Sequence, residues 1–429
     1  MLRKLRKSIF WIAVSAAAQT PPALTLEQAV TTALRNHPQV AAAQDQVNYA
    51  QQQVTENRAA YYPQVSGEIT GSQANTDARI GAGQLQASRL FNRFGSGLDL
   101  SQLLTDSGRT PNLVASARLQ QQASESTLSA TRYDVILAVN RAYFGVLNAQ
   151  AVVKVARETV TARQFVADQI NELAKNGLKS QVDVAFADVN VSEAKLLLLR
   201  AQDAVTSAMA ELGRTLGSDQ PANYQLADVP LPPGPPPTVD QLVTQAVDNR
   251  PELASLQFQS ESAYKFFEAE KDLSYPTVTV AAVGGLLPWI NAPNNSTVAF
   301  GYEGIGANVS IPVFNGHLFA ARREAAREKA FEADQNLRNE RERIARDVRV
   351  AYSSLVDAYQ RIDVTAEFLR QAALALELAQ GRYNNGLSDI VVLTQAQLNQ
   401  TQAEIENISA KYDYQTQYSV VQYTIGALR

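Results

Sequence analysis

Apolar residues recur every three or four positions along most of the chain, which is the period of an amphipathic helix. An early example is the set Val40, Ala43, Val47, Ala50 and Val54. This is the spacing of a heptad seam, so we predict helices that pack along their length as in a coiled coil.

Two runs, about 111–176 and about 317–385, contain no proline after Pro111 and predict very long helices. At 1.5 Å of rise per residue each would be roughly 100 Å long, so each needs partners along its length. We predict that the seam of the second run consists of Ala366, Leu369, Ala373, Leu376 and Tyr383.

Both runs stop at an Asn-Gly pair, which is typical of a left-handed helix end. New helices are predicted at about 180–216 and about 389–425, so each run turns back as a helical hairpin with Gly177 or Gly386 at its tip. Ser180 and Asp183 have the spacing of a capping box, and Asp389 is expected to cap the equivalent helix.

Between the helices the period changes to two, which predicts β-hairpins at about 63–104 and about 276–313. The strands would have about ten to twelve residues, the length of a tilted strand that crosses a membrane. Their apolar positions are predicted to face lipid: Val65, Ile69, Leu98, Leu100, Val278, Val280, Ile305 and Val309.

Aromatic residues cluster at the ends of these strands, where a transmembrane barrel has its interfacial girdles. They are Tyr61, Tyr62, Phe91, Phe94, Tyr275, Trp289, Phe300, Tyr302 and Phe314. The alternative for the strands alone is a soluble hairpin with ordinary core aromatics.

The chain contains an internal repeat, in which the same unit occurs twice. Thr25 aligns with Thr238 at a separation of 213 residues, and Gly177 aligns with Gly386 at a separation of 209. We predict repeat 1 at 22–217 and repeat 2 at 238–429, each with a short helix, a β-hairpin, a long helix and a further helix. The Pro-rich linker, 218–237, is expected to be extended.

The first residues have the pattern of a targeting segment. A basic stretch precedes the apolar run from Ile9 to Ala18, which is too short to span a bilayer as a helix. We predict a signal peptide at 1–18; a retained anchor is the alternative. No run of eighteen apolar residues follows, so no transmembrane helix is expected.

Composition excludes several classes of function. The net charge is −4 with 19% charged residues, which argues against a nucleic-acid partner. There is no cysteine and there are only two histidines, His37 and His317, so thiolate chemistry is excluded and little remains for histidine-based acid–base catalysis or zinc. The carboxylates form no recognisable constellation with His, Ser or a phosphate loop. We expect no catalytic residues, no metal and no cofactor, and therefore no enzyme.

Four strands cannot close a barrel, and an open sheet edge is not tolerated in hydrocarbon, so membrane strands would require an oligomer. Two copies give eight strands, whose interior side chains fill. Three copies give twelve strands and an open lumen, and a tetramer also satisfies the argument.

These features together resemble the TolC-like outer-membrane efflux protein family. The resemblance rests on the Ala-Leu-x-Asn-x-Pro-x-Val start at 33–40, the Tyr-Pro pairs at 62 and 275, the Gly-Leu tips and the doubling, and it covers about 22–429. It implies an α+β membrane protein: a homotrimer with a 12-stranded transmembrane β-barrel, four strands per chain. A long periplasmic α-helical coiled-coil barrel continues the tube, and the linker lies in an equatorial region.

The resemblance also implies a function. The trimer would sit in the outer membrane of a Gram-negative bacterium, in contact with outer-membrane lipid. It would serve as the passive exit duct, for small molecules or proteins, of a tripartite efflux or type I secretion system. Its partners would be a periplasmic membrane-fusion adaptor and an inner-membrane pump of the RND, ABC or MFS type. The alternative is a periplasmic coiled-coil scaffold or adaptor without a pore.

By the same resemblance the helical tips carry the functional residues. Adaptor docking is expected at Gly177, Leu178, Lys179, Gly386, Leu387 and Ser388. The periplasmic gate is expected at Asp183, Tyr383, Asp389 and Gln395. Members often have an aspartate at the position of Gln395, where it forms a cation-binding ring, so we expect only weak block by divalent cations here.

Overall fold

The computed structural model describes residues 23–73, 92–218, 224–236, 238–291 and 300–428. The predicted signal peptide at 1–18 lies outside these residues. So do Phe91, parts of both hairpin loops and part of the linker, while for Trp289 and Phe300 only the backbone is described.

The described residues are mostly helical, with one antiparallel sheet of four strands. In chain order the helices and strands are α1 Leu26–Asn36, α2 Pro38–Arg58, β1 Gln64–Ser72, β2 Asn92–Thr105, α3 Arg109–Lys175, α4 Gln181–Thr215, α5 Val239–Asn249, α6 Pro251–Asp272, β3 Thr277–Asn291, β4 Phe300–Ser310, α7 Leu318–Asn384 and α8 Ile390–Thr424. The two long helices, α3 and α7, have 67 residues each.

Local sequence explains several helix starts. Pro38 and Pro251 begin α2 and α6, as expected of a residue that needs no backbone N–H partner at a helix start. His37 lies before α2 and its Nδ1 accepts a bond from Gln39 N at 3.3 Å, so it is a capping residue. His317 precedes α7 in the left-handed conformation, with φ of 68°.

Two compact units divide the chain, and they are not the two sequence repeats. The first unit contains 1–33, 139–233 and 362–415, and the second contains 34–138, 234–361 and 416–429. Each unit therefore combines segments from both copies of the repeat.

The second unit contains the sheet, whose strand order is β1-β2-β3-β4. All three pairs are antiparallel, and β1 and β4 are the edges. Val65 lies opposite Leu100, Ala282 lies opposite both Leu100 and Ile305, and Val278 lies opposite Val309. Because paired residues point to the same side of a sheet, one row of apolar residues crosses all four strands on a single face.

On the other face, Tyr302 lies across two glycines. Gly97 of β2, Gly285 of β3 and Tyr302 of β4 form one row of paired residues. A Cβ atom at Gly97 would collide with the Tyr302 hydroxyl, and one at Gly285 would collide with that hydroxyl and with Ser96 O. The two glycines therefore make the space that the aromatic side chain occupies.

In the first unit, the buried residues of α7 are one position away from part of the predicted seam. Ala366 and Ala373 are exposed, whereas Thr365 and Ala372 are buried, together with Ala379 and Tyr383. The spacing of three and four residues was predicted correctly, but alanine occurs on both sides of the seam at 372 and 373. Composition alone could not show which of the two faces the neighbouring helices.

Tyrosines hold the extended linker within each unit. In the first unit the Tyr143 hydroxyl lies 2.8 Å from Leu24 O and 2.6 Å from Ala227 O, so its single proton is shared between two carbonyls. Tyr414 donates to Pro233 O in the same unit. In the second unit Tyr352, the repeat equivalent of Tyr143, donates to Pro236 O at 2.9 Å.

Among the described helices, α3 contains a window that is long and apolar enough to cross a membrane by length and composition. More than half of that window is buried within the chain. The core helix of a water-soluble protein passes the same test, so this observation is weak evidence for a span.

Candidate functional site

The two helical tips are built by the same backbone motif. At the first tip Leu178 N donates to Leu173 O at 2.9 Å and Gly177 N donates to Ala174 O at 3.0 Å. The second tip repeats this with Leu387 N to Arg382 O at 2.8 Å and Gly386 N to Tyr383 O at 3.1 Å. These are Schellman motifs, which end a helix with a residue in the left-handed conformation.

Glycine is required at both tips by backbone angle and not by crowding. Gly177 and Gly386 have φ of 73° and 71°, a region that other L-residues adopt only at a cost. A Cβ atom at either position would meet nothing within 4 Å. The surface around each tip glycine is therefore open.

The leucine after each glycine points into solvent. In a Schellman motif this residue often packs back onto the last turn of the helix. Here Leu178 and Leu387 are each 69% exposed. Each tip thus presents a leucine side chain that is mostly exposed to solvent.

Both candidate gate carboxylates cap helices. Asp183 accepts from Ser180 N at 3.0 Å while Ser180 Oγ accepts from Asp183 N at 3.1 Å, so the predicted capping box is confirmed. Asp389 Oδ1 accepts from Val392 N at 3.0 Å, as expected of a cap for α8. Asp389 is exposed to solvent and Asp183 is half-buried.

Three of the predicted tip and gate residues come together. The Lys179 ammonium lies 3.7 Å from the centre of the Tyr383 ring, a cation–π contact. Tyr383 is only 3% exposed, and its buried hydroxyl has no hydrogen-bond partner among the described residues. Burial, with a smaller contribution from the charge of Asp183, raises the pKa of Tyr383 to about 12.

The fourth predicted gate residue lies apart from this group. Gln395 is on α8, where its side-chain amide donates to Asn399 Oδ1 at 2.9 Å. It lines a cavity of about 480 Å³ together with Arg163 and Glu193. The structure therefore associates Gln395 with Arg163 and not with Tyr383 or Asp183.

Arg163 was missed in the sequence, although its spacing provides a signal. It lies on α3 seven residues after Ala156 and seven before Ile170, which are 0% and 1% exposed. A charged residue at a heptad position that is otherwise apolar is unusual. Arg163 is 5% exposed, and burial lowers the pKa of its guanidinium while the charge of Glu193 opposes that shift.

The polar contacts of Arg163 connect three helices. Its Nη1 donates to Asn190 O on α4 at 3.2 Å, and Asn190 Nδ2 donates to Thr394 Oγ1 on α8 at 2.8 Å. The nearest charge, Glu193 Oε2, is 3.7 Å from Nη1. The side-chain nitrogen Nε is buried and has no partner among the described residues.

The eight residues predicted to face lipid all lie on the apolar face of the sheet. Five are exposed in the single chain: Val65, Ile69, Leu98, Ile305 and Val309. Leu100, Val278 and Val280 are half-buried. The opposite face carries Ser66, Glu68 and Thr70 on β1, so one side of the strand is apolar and the other polar.

Comparison with known proteins identifies the family. The outer membrane efflux protein family matches residues 29–218 and 242–427, nearly the whole of both repeats. The outer membrane protein TolC of Salmonella enteritidis is 21% identical over 439 aligned positions, and the alignment covers 100% of this chain and 87% of that protein.

Two solved structures show the fold. A membrane protein from Pseudomonas aeruginosa superposes with a TM-score of 0.80 at 20% identity, and the match covers 94% of this chain and 93% of that one. The outer membrane protein VceC of Vibrio cholerae superposes with a TM-score of 0.78 at 16% identity, covering 94% of this chain and 96% of that one.

The chain belongs to the outer membrane efflux protein family. It is thus an outer-membrane channel of the TolC type, whose helical part lies in the periplasm of a Gram-negative bacterium, and not a scaffold without a pore. Members of the family are channel proteins. Channels of this type form trimers and work with periplasmic adaptors and inner-membrane pumps.

Proposed function

We propose that three copies of this chain form the passive exit duct of a tripartite efflux or type I secretion system, with no catalysis of their own. Small molecules or proteins would enter through the periplasmic tips and leave through the barrel. The observation that carries the proposal is the sheet, which has four strands, two open edges and one apolar face.

The strands require partners from other copies. β1 and β4 pair on one side only, so each leaves a row of backbone groups that no strand of the described residues pairs with. Such groups cost several kcal/mol each in hydrocarbon. Closure of the sheet by two further copies would pair both edges and give twelve strands, enough for a lumen lined by the polar face.

The helices also expose apolar residues that suit contacts between copies. α4 exposes Val182, Phe186, Val189, Leu196 and Leu199, and α7 exposes Val364, Phe368, Leu374 and Leu378. Many of these lie three, four or seven residues apart along one side of their helix. In a trimer these stripes would pack between neighbouring copies and close the helical barrel.

The tips are the proposed docking surface for a periplasmic adaptor. Leu178 and Leu387 supply the exposed apolar anchors, and Gly177 and Gly386 set the turns that present them. Lys179 and Ser388 follow in the same turns. Asp183, Tyr383, Asp389 and Gln395 are proposed to shape the entrance, and the pump behind the adaptor, of RND, ABC or MFS type, would supply the energy.

Replacing the tip leucines tests the docking surface. The double variant Leu178→Glu with Leu387→Glu retains both glycine turns but places charge where an apolar anchor is needed. We expect export to fall at least about tenfold, the factor for about 1.4 kcal/mol of lost binding. Site-specific cross-linking to the adaptor should fall with it, whereas trimers in the outer-membrane fraction should remain.

Leu231→Glu is the matched control, because Leu231 is also an exposed leucine but lies in the linker. This variant should export normally. Normal export and adaptor cross-linking by the tip double variant would contradict docking at the tips. Failure of the purified wild-type chain to form trimers that conduct ions would contradict the duct itself.

A further inference from the structure

The two β-hairpins of the sheet are equivalent residue by residue. Gln64 of β1 lies opposite Ser101 of β2, and Thr277 of β3 lies opposite Ser310 of β4. Thr277 comes 213 positions after Gln64, and Ser310 comes 209 positions after Ser101. These are the two separations of the sequence repeat. The structure therefore makes β3 the equivalent of β1, and β4 the equivalent of β2.

The pairing of β2 with β3 joins one hairpin to the next. Leu100 of β2 lies opposite Ala282 of β3. This pairing shows how the second strand of a hairpin meets the first strand of the following hairpin. The two edges of the sheet are the same two kinds of strand, because β4 is a second strand and β1 is a first strand. In a closed sheet, the contact of β4 with β1 of a neighbouring copy should therefore repeat the contact of β2 with β3.

The repeat separations convert this template into particular residue pairs. Leu100 plus 209 gives Val309, and Ala282 minus 213 gives Ile69, so Val309 is expected opposite Ile69 of the neighbouring copy. Val309 and Ile69 both lie on the apolar face of their own strands. A slip of one residue would instead place apolar residues opposite polar ones. The transferred register thus passes a check that was not used to derive it.

β2 is longer than its equivalent β4 at one end. The pairing of β2 with β1 stops at Ser101, but β2 continues as a strand to Thr105 because β3 lies on its other side. Thr105, for example, lies opposite Val278. β4 ends at Ser310, the equivalent of Ser101. The stretch that β4 lacks is thus the stretch that in β2 depends on the following hairpin.

The residues that follow β4 are Ile311–Phe314, which we call the junction segment. Within the described part of the chain this segment pairs with no strand. Val313 and Phe314 are 92% and 81% exposed. Isoleucine, valine and phenylalanine favour strands. The junction segment therefore has the sequence of a strand and lacks a neighbouring strand on the side where β2 has one.

We propose that the junction segment extends β4 in the assembled channel by pairing with Val65–Gly67 of the neighbouring copy, in the register that places Val309 opposite Ile69. The pairing of β2 with β3 shifts register between Leu103 and Thr105, and the same shift places Phe314 opposite Val65. This inference rests on the proposed function, since it requires that several copies close one sheet. It adds which residues of the two edges meet.

A pair of cysteines tests the register. The chain contains no cysteine, so Ile69→Cys with Val309→Cys introduces one defined pair. Within one copy the two positions lie on opposite edges of the sheet, three strand spacings or about 14 Å apart, whereas a disulfide requires Cα atoms within about 7 Å. A disulfide can therefore form only between copies. Mild oxidation of outer-membrane fractions should give covalent trimers on denaturing gels, and reductant should return them to monomers.

Gly67→Cys and Gly71→Cys, each combined with Val309→Cys, are the matched controls, because they move the partner by two residues on the same face. A Cβ atom at either glycine makes only an ordinary contact of 3.7 Å within the chain. Opposite Cβ atoms lie about 4.5–5.5 Å apart and diagonal ones about 7–8 Å, so the pair at 69 and 309 should cross-link at least about fivefold faster.

The outcomes separate the register from the duct. Cross-linking that is as fast or faster in a diagonal pair, or absent from all three pairs in trimers that conduct ions, would overturn the register and leave the duct intact. Failure of the wild-type chain to form conducting trimers would overturn the duct, and the register with it.

A second pair of variants tests the junction segment. With the register shift the partner of Val65 is Phe314, whereas an unbroken ladder would make it Val313. We therefore expect Val65→Cys with Phe314→Cys to give covalent trimers faster than Val65→Cys with Val313→Cys. Faster cross-linking through position 313 would overturn the transferred shift. Failure of both pairs, in trimers that cross-link through 69 and 309, would overturn the extension of β4.

Discussion

At the scale of single residues, the contact between Lys179 and Tyr383 depends on the ring of the tyrosine and not on its hydroxyl. The ammonium lies over the ring face, while the hydroxyl is buried and donates to no described group. A buried hydroxyl without a partner costs free energy, so its removal is expected to be neutral or favourable. The aromatic face is therefore the part of Tyr383 that contributes at the tip.

This assignment predicts different results for two substitutions of Tyr383. Tyr383→Phe retains the ring and should leave gating unchanged and trimer stability unchanged or slightly higher. Tyr383→Leu loses the cation–π contact, worth about 0.5–1 kcal/mol, and should raise the open fraction of channels in bilayer recordings. Lys179→Met should give the same change as Tyr383→Leu.

The raised pKa of Tyr383 predicts how its contribution to stability changes with pH. The folded-state pKa of Tyr383, about 12, is above the ordinary value of 10.0, so its contribution to stability is complete below pH 10 and is lost as the pH rises toward 12. Tyr383→Phe should remove this alkaline loss. If Tyr383→Phe opens the channel instead, the hydroxyl has a role that the structure does not assign to it.

Sequence predicted the residues whose partners are close in the chain and missed those whose partners are distant. The capping bonds of Asp183 and Asp389 connect positions three residues apart, and both were predicted. The bond from Asn190 to Thr394 connects positions 204 residues apart. No local sequence pattern predicts a hydrogen bond between such distant positions. The one signal near it in the sequence is Arg163, a charged residue at a heptad position that is otherwise apolar.

At the scale of elements, three neighbouring strands depend on one another through a single aromatic side chain. Tyr302 lies over Gly97 and Gly285, its neighbours on β2 and β3. A large side chain that covers glycines on adjacent strands helps to fix the register of their pairing. A methyl group at either glycine should disturb this row, but the atoms that it would collide with differ between the two positions.

Gly97→Ala and Gly285→Ala should respond differently to a second substitution. The added methyl at Gly97 meets mainly the flexible hydroxyl end of Tyr302, whereas at Gly285 it also meets the backbone of Ser96 and Gly97. We expect each to lower trimer stability by about 1–3 kcal/mol, as overpacking does. Tyr302→Ala should rescue Gly97→Ala but not Gly285→Ala, measured as the temperature at which trimers dissociate.

Gly304→Ala is the control for these variants. It is a glycine of the same sheet, and its added methyl would make only an ordinary contact with Val283, at 3.6 Å. Trimers of this variant should dissociate at the wild-type temperature. Equal rescue of Gly97→Ala and Gly285→Ala by Tyr302→Ala would contradict the distinction between side-chain and backbone contact.

One pair of equivalent tyrosines makes the same kind of contact in both repeats. Tyr143 and Tyr352 occupy equivalent positions, and each donates to the extended segment that precedes the first helix of its own repeat, through Leu24 O and Pro236 O. The sequence alone showed that these tyrosines are equivalent, but it did not show which backbone carbonyl each of them donates to. A repeat shows that two positions are equivalent, whereas the partner of each side chain depends on the fold.

At the scale of the whole molecule, the class of protein was predicted from alternation along the strands, the order of the elements and the motifs that resemble the TolC-like family. The period of two identified both faces of the sheet, because one residue of slippage would exchange them completely. The helical seam was placed one residue away from the buried positions at Ala366 and Ala373, because a helix presents intermediate positions on either side of its buried stripe. Strands have no such intermediate positions.

The faces of the sheet can be distinguished by placing one positive charge on each. Ile69 and Thr70 are adjacent on β1, and the pairing of β1 with β2 puts them on opposite faces. If the apolar face meets lipid, Ile69→Lys should cost about 2–4 kcal/mol near the middle of the bilayer, whereas Thr70→Lys in a wet lumen should cost little. We therefore expect few heat-stable trimers of Ile69→Lys in the outer-membrane fraction and near-normal amounts of Thr70→Lys.

Ile305→Lys on β4 should repeat the result for Ile69, because Ile305 lies on the same face and is 82% exposed in the single chain. If Thr70→Lys proves the more damaging substitution, the polar face meets lipid, and three copies of this sheet cannot enclose the aqueous lumen that the duct requires.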